Sequence, residues 1–127
     1  TKKVINYKKH KSNIKFIKKD FFKFSNKDKF DFIILGEVIE HVRNPKKFLY
    51  KAKKLLNTDG KIFISTCSNC AQVDHLYHFK NIQKIKYLLK SANFKIQNEL
   101  VSPSENIPKK VWQKEKIAIN YCAIINK

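Results

Sequence analysis

Glu37, Glu40 and His41 crowd three ionisable side chains into the segment FDFIILGEVIEHV, Phe30 to Val42. Carboxylates and an imidazole at that density can orient a polar substrate or take up a proton near neutral pH. They follow Phe32 to Leu35, a short β-branched apolar run flanked by polar residues, which predicts a strand buried on both faces as in a parallel sheet. Open α/β sheets place ligands beyond the carboxyl ends of such strands, so the position itself points to a site. A second set, Asp74, His75 and His78, falls in the loop expected after a strand over Lys61 to Thr66. With Asp74 beside it, His75 is the stronger candidate base of the two histidines. Cys67 and Cys70 form a C-x-x-C, which suits a redox pair or half of a zinc site. No second pair completes a metal shell and Cys122 is far away in sequence, so uninvolved thiols and no metal are expected, zinc held with His75 and His78 being the lesser alternative.

The elements that must position these groups are visible in the apolar spacing. Asn44 as cap and Pro45 at the first helical position start a helix, in which Phe48, Leu49, Ala52, Leu55 and Leu56 make one apolar stripe. Asn57 to Gly60 reads as the turn closing it, Gly60 supplying a permissive backbone. Asn81 caps a second helix with Ile82, Ile85, Leu88 and Leu89 as its stripe, closed at Asn93 in the left-handed conformation. Phe94 to Val101 and Ile117 to Ile125 read as strands. Between them Ser102 to Lys116 carries Pro103, Pro108 and Trp112, a polar insertion able to fold over the site as a lid. Upstream, Thr1 to Ser12 reads as the last turns of an amphipathic helix and Ile14 to Lys19 as a short strand leading to Asp20. The order is that of an α/β sheet.

Phe30 to Val42 resembles the segment after the fourth strand of class I S-adenosylmethionine-dependent methyltransferases, whose small-molecule branch often carries an E-x-x-E-H-like sequence there. Ser65-Thr66-Cys67-Ser68-Asn69 is similar to the Ser-Thr-Pro-Asn-like end of their next strand, with Cys67 in the place of proline. The resemblance implies the C-terminal portion of a Rossmann-like methyltransferase sheet with an antiparallel edge hairpin, S-adenosylmethionine as cofactor and a small-molecule methyl acceptor. It also implies roles. Asp20 would accept hydrogen bonds from the adenine amino group and Phe21 would pack on the ring, while Leu35 and Gly36 would offer backbone to the donor's amino-acid part. Glu37, His41 and His75 would position the acceptor or remove its proton, and Trp112 and Tyr121 would line its pocket. Relatives have a proline and two glycines where Asn57 to Gly60 stands, so that turn matches only in part. The glycine-rich turn after the first strand and the acidic residue after the second have no counterpart, because Gly36 and Gly60 are the only glycines. The expectation is a partial domain over residues 1–127, third strand onward, lacking the two strands that would separate the Ile14 strand from the Phe32 strand. Such a chain would bind cofactor weakly or not at all by itself.

Length and composition bound the rest. One domain at most fits in 127 residues, and 43% hydrophobic residues suffice for its core. The formal charge of +18 would ordinarily suggest a polyanion. Yet Arg43 is the sole arginine among 28 basic residues, and the lysines are spread along the chain, so no specific nucleic-acid binding is expected. Apolar runs are far shorter than a membrane span and no signal segment opens the chain, which points to no membrane partner and a cytoplasmic protein. An odd count of three cysteines agrees with a reducing compartment. Methionine is absent even at position 1, so a natural start is missing. The rival reading is a catalytically inactive truncated domain kept as a partner- or nucleic-acid-binding module. The sequence does not fix the acceptor atom or the oligomeric state.

Overall fold

A computed structural model describes residues 14–112 and 116–127; the helix expected over Thr1 to Ser12 lies outside the described residues. Strand β1 (Phe30–Gly36) pairs in parallel with β2 (Leu56–Ser68), and a single turn of 3-10 helix (Ile39–His41) followed by helix α1 (Pro45–Leu55) joins them. Helix α2 (Ile82–Ser91) leads to β3 (Lys95–Pro103), and β4 (Ile119–Asn126) inserts between β2 and β3, antiparallel to both. The sheet order is β1-β2-β4-β3, a mixed α/β sheet ending in the expected antiparallel hairpin.

Local chemistry sets the helix limits. Asn44 Oδ1 accepts from Lys47 N at 2.9 Å and Pro45 opens α1, while Asn81 Oδ1 accepts from Lys84 N at 3.0 Å to cap α2. Asn93, at φ 60°, closes α2 in the left-handed conformation, with Phe94 N donating to Leu89 O at 3.1 Å. The stripes are as read except at Leu56, which is the first residue of β2: Phe48, Leu49 and Ala52 of α1 and Ile85, Leu88 and Leu89 of α2 are buried in one cluster with Ile62, Ile64, Tyr121, Ala123 and Ile125 of the sheet. Both helices therefore cover the same face.

The opposite face explains a correction. β1 is not buried on both faces: Ile34 is 69% and Phe32 48% exposed, because no described element covers that face and β1 is the sheet's outer strand among the described residues. Ile14 to Lys19 is not a strand either. It runs as exposed coil and makes no ladder with the described sheet, although β1 is an outer strand there. Asn57 to Gly60 belongs to β2 and is not a separate turn; β2 begins directly after α1. Gly60 does not take a positive φ, and its small size serves close packing instead: a Cβ there would sit 2.9 Å from Phe30 O and 3.0 Å from Leu56 Cδ2.

Candidate active site

The carboxyl ends of β1 and β2 lie side by side, Leu35 opposite Ile64 and Gly36 opposite Ser65. Glu37 then turns the chain at φ 49°, a left-handed conformation costly for a residue with a side chain. Its N–H is held by Ser65, 3.1 Å from the carbonyl and 3.3 Å from Oγ, and its own carboxylate faces solvent. The turn Ile39–His41 that follows sends Glu40 inward. At 1% exposure Glu40 is the most deeply buried acid described, its Oε2 accepting from Thr66 Oγ1 at 2.8 Å. Oε1 has no hydrogen-bond partner among the described residues. Burial pushes this carboxyl above the usual range, opposed by hydrogen bonds from its own backbone and Thr66 and reinforced by the nearby Glu37 charge. The Glu40 carbonyl in turn accepts from Leu76 N and Tyr77 N, both at 2.9 Å, and so anchors the loop that follows β2.

That loop delivers the second half of the site. His41 Nδ1 donates to the Asp74 carbonyl at 3.0 Å; a carbonyl only accepts, so Nδ1 carries the hydrogen and Nε2 keeps its lone pair. Asp74 Oδ2 is 3.5 Å from Nδ1, and Glu40 Oε1 is 4.0 Å from Nε2. His75 stands edge-on to His41 with ring centres 4.9 Å apart, and its Nδ1 donates to the Cys70 carbonyl at 2.7 Å. Asp74 thus serves His41, although it adjoins His75 in the chain. His78 is more remote, its ring centre 6.1 Å from that of His75. Cys67 is buried at the end of β2 and Cys70 half-buried; burial pushes the Cys67 thiol well above its ordinary range, and the neighbouring Cys70 thiol adds to the effect.

The structure therefore brings His41, His75 and Glu40 together, with Glu37, Leu35 and Gly36 at the adjoining strand end. Thr66 is the member that the sequence left without a role, since nothing in a β-strand's alternation reveals that a buried hydroxyl faces a carboxylate. Asp20 and Phe21 are elsewhere. Asp20 Oδ1 accepts from Phe22 N at 2.8 Å in a local turn, and Phe21 stacks on Phe48 of α1 with centroids 4.2 Å apart. Of the two places expected to meet S-adenosylmethionine, the strand end has room for a ligand beside it. Gly36 is open, with a Cβ there approaching nothing nearer than Ser65 Oγ at 3.9 Å, whereas the Asp20 carboxylate is engaged by its own turn.

A cleft of about 530 Å³ opens next to this region, lined by Ser68, Asn69, Lys80, Asn81 and Trp112 among others. Trp112 is half-buried there, its Nε1 donating to Ile107 O at 2.9 Å. Tyr121 does not line a pocket. It is fully buried in the core and its hydroxyl donates to Glu99 Oε2 at 3.0 Å, because β4 is an inner strand whose alternate residues face the helices. Of the expected lid, Lys109–Val111 form a 3-10 turn and residues 113–115 lie outside the described residues.

A family profile described as a methyltransferase domain matches residues 2–118. The ubiquinone biosynthesis O-methyltransferase of Glaesserella parasuis is 37% identical over 90 residues, which is 68% of this chain and 37% of that protein. Among solved structures, the O-methyltransferase of a trans-AT polyketide synthase multienzyme from Brevibacillus brevis, in complex with S-adenosyl-L-homocysteine, superposes with a TM-score of 0.68 at 16% identity, covering 99% of this chain and 53% of that one. The cyclase SpnF superposes with a TM-score of 0.76 at 10% identity, covering 99% and 60%. The chain spans only 35% and 37% of the length of the curated relatives it matches first.

Proposed function

The chain belongs to the class I S-adenosylmethionine-dependent methyltransferases, and on that premise we propose that it forms the carboxyl-terminal part of a domain that methylates a hydroxyl of a small molecule, with His41 as the base. The observation that carries this reading is the His41 imidazole, held through Nδ1 by Asp74 and leaving Nε2 with a lone pair at the carboxyl ends of two parallel strands. S-adenosylmethionine, when bound, supplies an electrophilic methyl carbon. His41 Nε2 would take the acceptor hydroxyl's proton as the methyl group passes to the oxygen, the carbon–sulfur bond breaking so that the donor leaves as the neutral thioether S-adenosylhomocysteine. The imidazolium so formed is favoured by Asp74 Oδ2 at 3.5 Å and Glu40 Oε1 at 4.0 Å. Leu35 and Gly36 would offer backbone to the amino-acid end of the cofactor, and Glu37, exposed at its strained turn, would orient the acceptor. His75 fixes the His41 ring edge-on. Asp20 and Phe21 reach the adenine only if the segment before β1 is drawn onto an upstream strand, as a longer domain would do.

Choice of oxygen as the nucleophile rests on the two relatives whose names specify O-methyltransferases. The test is a pair of titrations with S-adenosylhomocysteine by calorimetry. This chain alone should give no saturable heat, whereas the chain joined to an upstream segment that carries a glycine-rich turn should bind and transfer labelled methyl to catechol as a probe. Failure of the joined protein to bind would end the proposal. Binding with transfer to an amine probe in place of catechol would overturn the oxygen specificity.

A further inference from the structure

The C-x-x-C motif gains in three dimensions what the sequence denied it. Cys67 Sγ, Cys70 Sγ and a ring nitrogen of His75 all lie within 4.8 Å of one another. A tetrahedral ion with metal–sulfur bonds of about 2.3 Å and a metal–nitrogen bond of about 2.0 Å holds its ligand atoms about 3.5 to 3.8 Å apart, a closure of about 1 Å from that limit. The geometry points to a binding site for a thiophilic divalent cation, zinc above all, formed by Cys67, Cys70 and His75 with one coordination position left for an exchangeable group.

Four features beyond proximity support it. Cys67 is the penultimate residue of β2, and just past the strand Asn69 at φ 54° reverses the chain so that the second thiol comes back toward the first. The reversal is pinned on both sides, Asn69 N donating to Phe79 O at 2.9 Å and Asn69 Nδ2 to Ile117 O at 3.3 Å. His75 Nδ1 donates to the Cys70 carbonyl at 2.7 Å, so the nitrogen left with a lone pair is Nε2. Metal-bound histidines commonly tie their other nitrogen to a backbone carbonyl in this way, which fixes both tautomer and ring orientation. The fourth feature is a buried oxygen in want of a partner: Glu40 Oε1 is unpaired, and a Glu40 carboxylate oxygen lies within 4.8 Å of a His75 ring nitrogen. A water on the cation would satisfy it. Soft thiolates select zinc over magnesium or calcium, which take oxygen ligands. On binding, each thiol gives up its proton to the solvent and the sulfur lone pair forms the metal bond.

The site stands independently of methyl transfer, because no cofactor contact enters the argument. The experiment is a titration of the reduced, chelator-treated chain with Co²⁺, followed by absorbance. Expected is one equivalent bound, with a thiolate-to-cobalt charge-transfer band that Zn²⁺ abolishes. Cys70→Ser and Cys67→Ser should each remove the band, His75→Ala should weaken binding at least about 10-fold, and His78→Ala should change neither. Because Cys67 is buried, circular dichroism of Cys67→Ser is compared with wild type; should that variant unfold, the half-buried Cys70 decides. Cobalt bound without the charge-transfer band, or a band surviving in Cys70→Ser, would overturn the site, as would a loss in His78→Ala equal to that in His75→Ala. Calorimetry with S-adenosylhomocysteine on the chain joined to an upstream segment reads the methyltransferase proposal separately.

Discussion

Two carboxylates in this molecule each accept a hydrogen bond from a hydroxyl on the sheet, and they are treated in opposite ways. Glu99 on β3 takes the Tyr121 hydroxyl at 3.0 Å and the Lys86 ammonium at 2.6 Å, and remains partly exposed. The Lys86 hydrogen bond holds its carboxyl below the usual range. Glu40 takes the Thr66 hydroxyl at 2.8 Å, has no lysine, is shut away from water, and leaves one oxygen unpaired. Glu99 is a satisfied group that joins α2 to the hairpin. Glu40 is a costly one, and a protein retains an unsatisfied buried acid where something else, a proton or a ligand, is meant to meet it.

The contrast can be broken most forcefully at His41. In the chain joined to an upstream segment that carries a glycine-rich turn, His41→Ala should lower turnover by about 10² to 10⁴-fold with cofactor affinity unchanged, measured by labelled-methyl transfer and calorimetry. Equal turnover would reduce the Glu40 side to structure alone. Next in size, Thr66→Val removes the hydroxyl partner of a buried acid and should cost on the order of 1 to 3 kcal/mol in urea unfolding. Tyr121→Phe, which leaves Glu99 its lysine and its access to water, should cost only about 0.5 to 1.5 kcal/mol in the same assay. If Tyr121→Phe proves the more damaging, the two carboxylates have been ranked the wrong way round.

The smallest effect is one of pH. A carboxyl whose pKa is depressed on folding contributes stability above its unfolded value, near 4.5, and loses it as pH falls through the folded value. Unfolding free energy should therefore drop less steeply below about pH 4.5 in Glu99→Gln than in wild type, by at most about 1 kcal/mol given the exposure of the pair. Glu40 has the opposite sign. Its raised pKa favours folding below 4.5, and that contribution is lost as pH rises through the folded value.

How much of this could be read from the chain depended on the range of the interactions. The caps at Asn44 and Asn81, the left-handed Asn93 and the α1 and α2 stripes are decided within a few residues, and they stand where the spacing placed them. The Ile14 to Lys19 strand and the burial of β1 on both faces depend on neighbours across a sheet, and there the pattern misled. The site divides likewise. Its location after β1 and β2 was legible from strand and loop order. The pairing of Asp74 with His41 was not, because adjacency in sequence suggested His75 while the loop, anchored on the Glu40 carbonyl, turns Asp74 the other way. The spacing offered His75 and His78 alike as companions of the two cysteines; the fold of the loop brings His75 within 4.8 Å of both thiols, which spacing does not encode. Nor does the fold settle the reaction, as the likeness to a cyclase shows.

The outer position of β1 has a consequence for how the purified chain will behave. Among the described residues its free edge offers a row of backbone donors and acceptors, with Phe32 and Ile34 bare beside it, which is a template on which further β-structure can grow. The charge of +18 keeps such molecules apart, but that repulsion reaches only about 8 Å at physiological ionic strength and about 3 Å in molar salt. Colloidal stability of this chain should accordingly fall as salt is added, the reverse of a protein held in solution by a closed surface, and light scattering should rise first in the buffers most often chosen to keep lysine-rich proteins off nucleic acid.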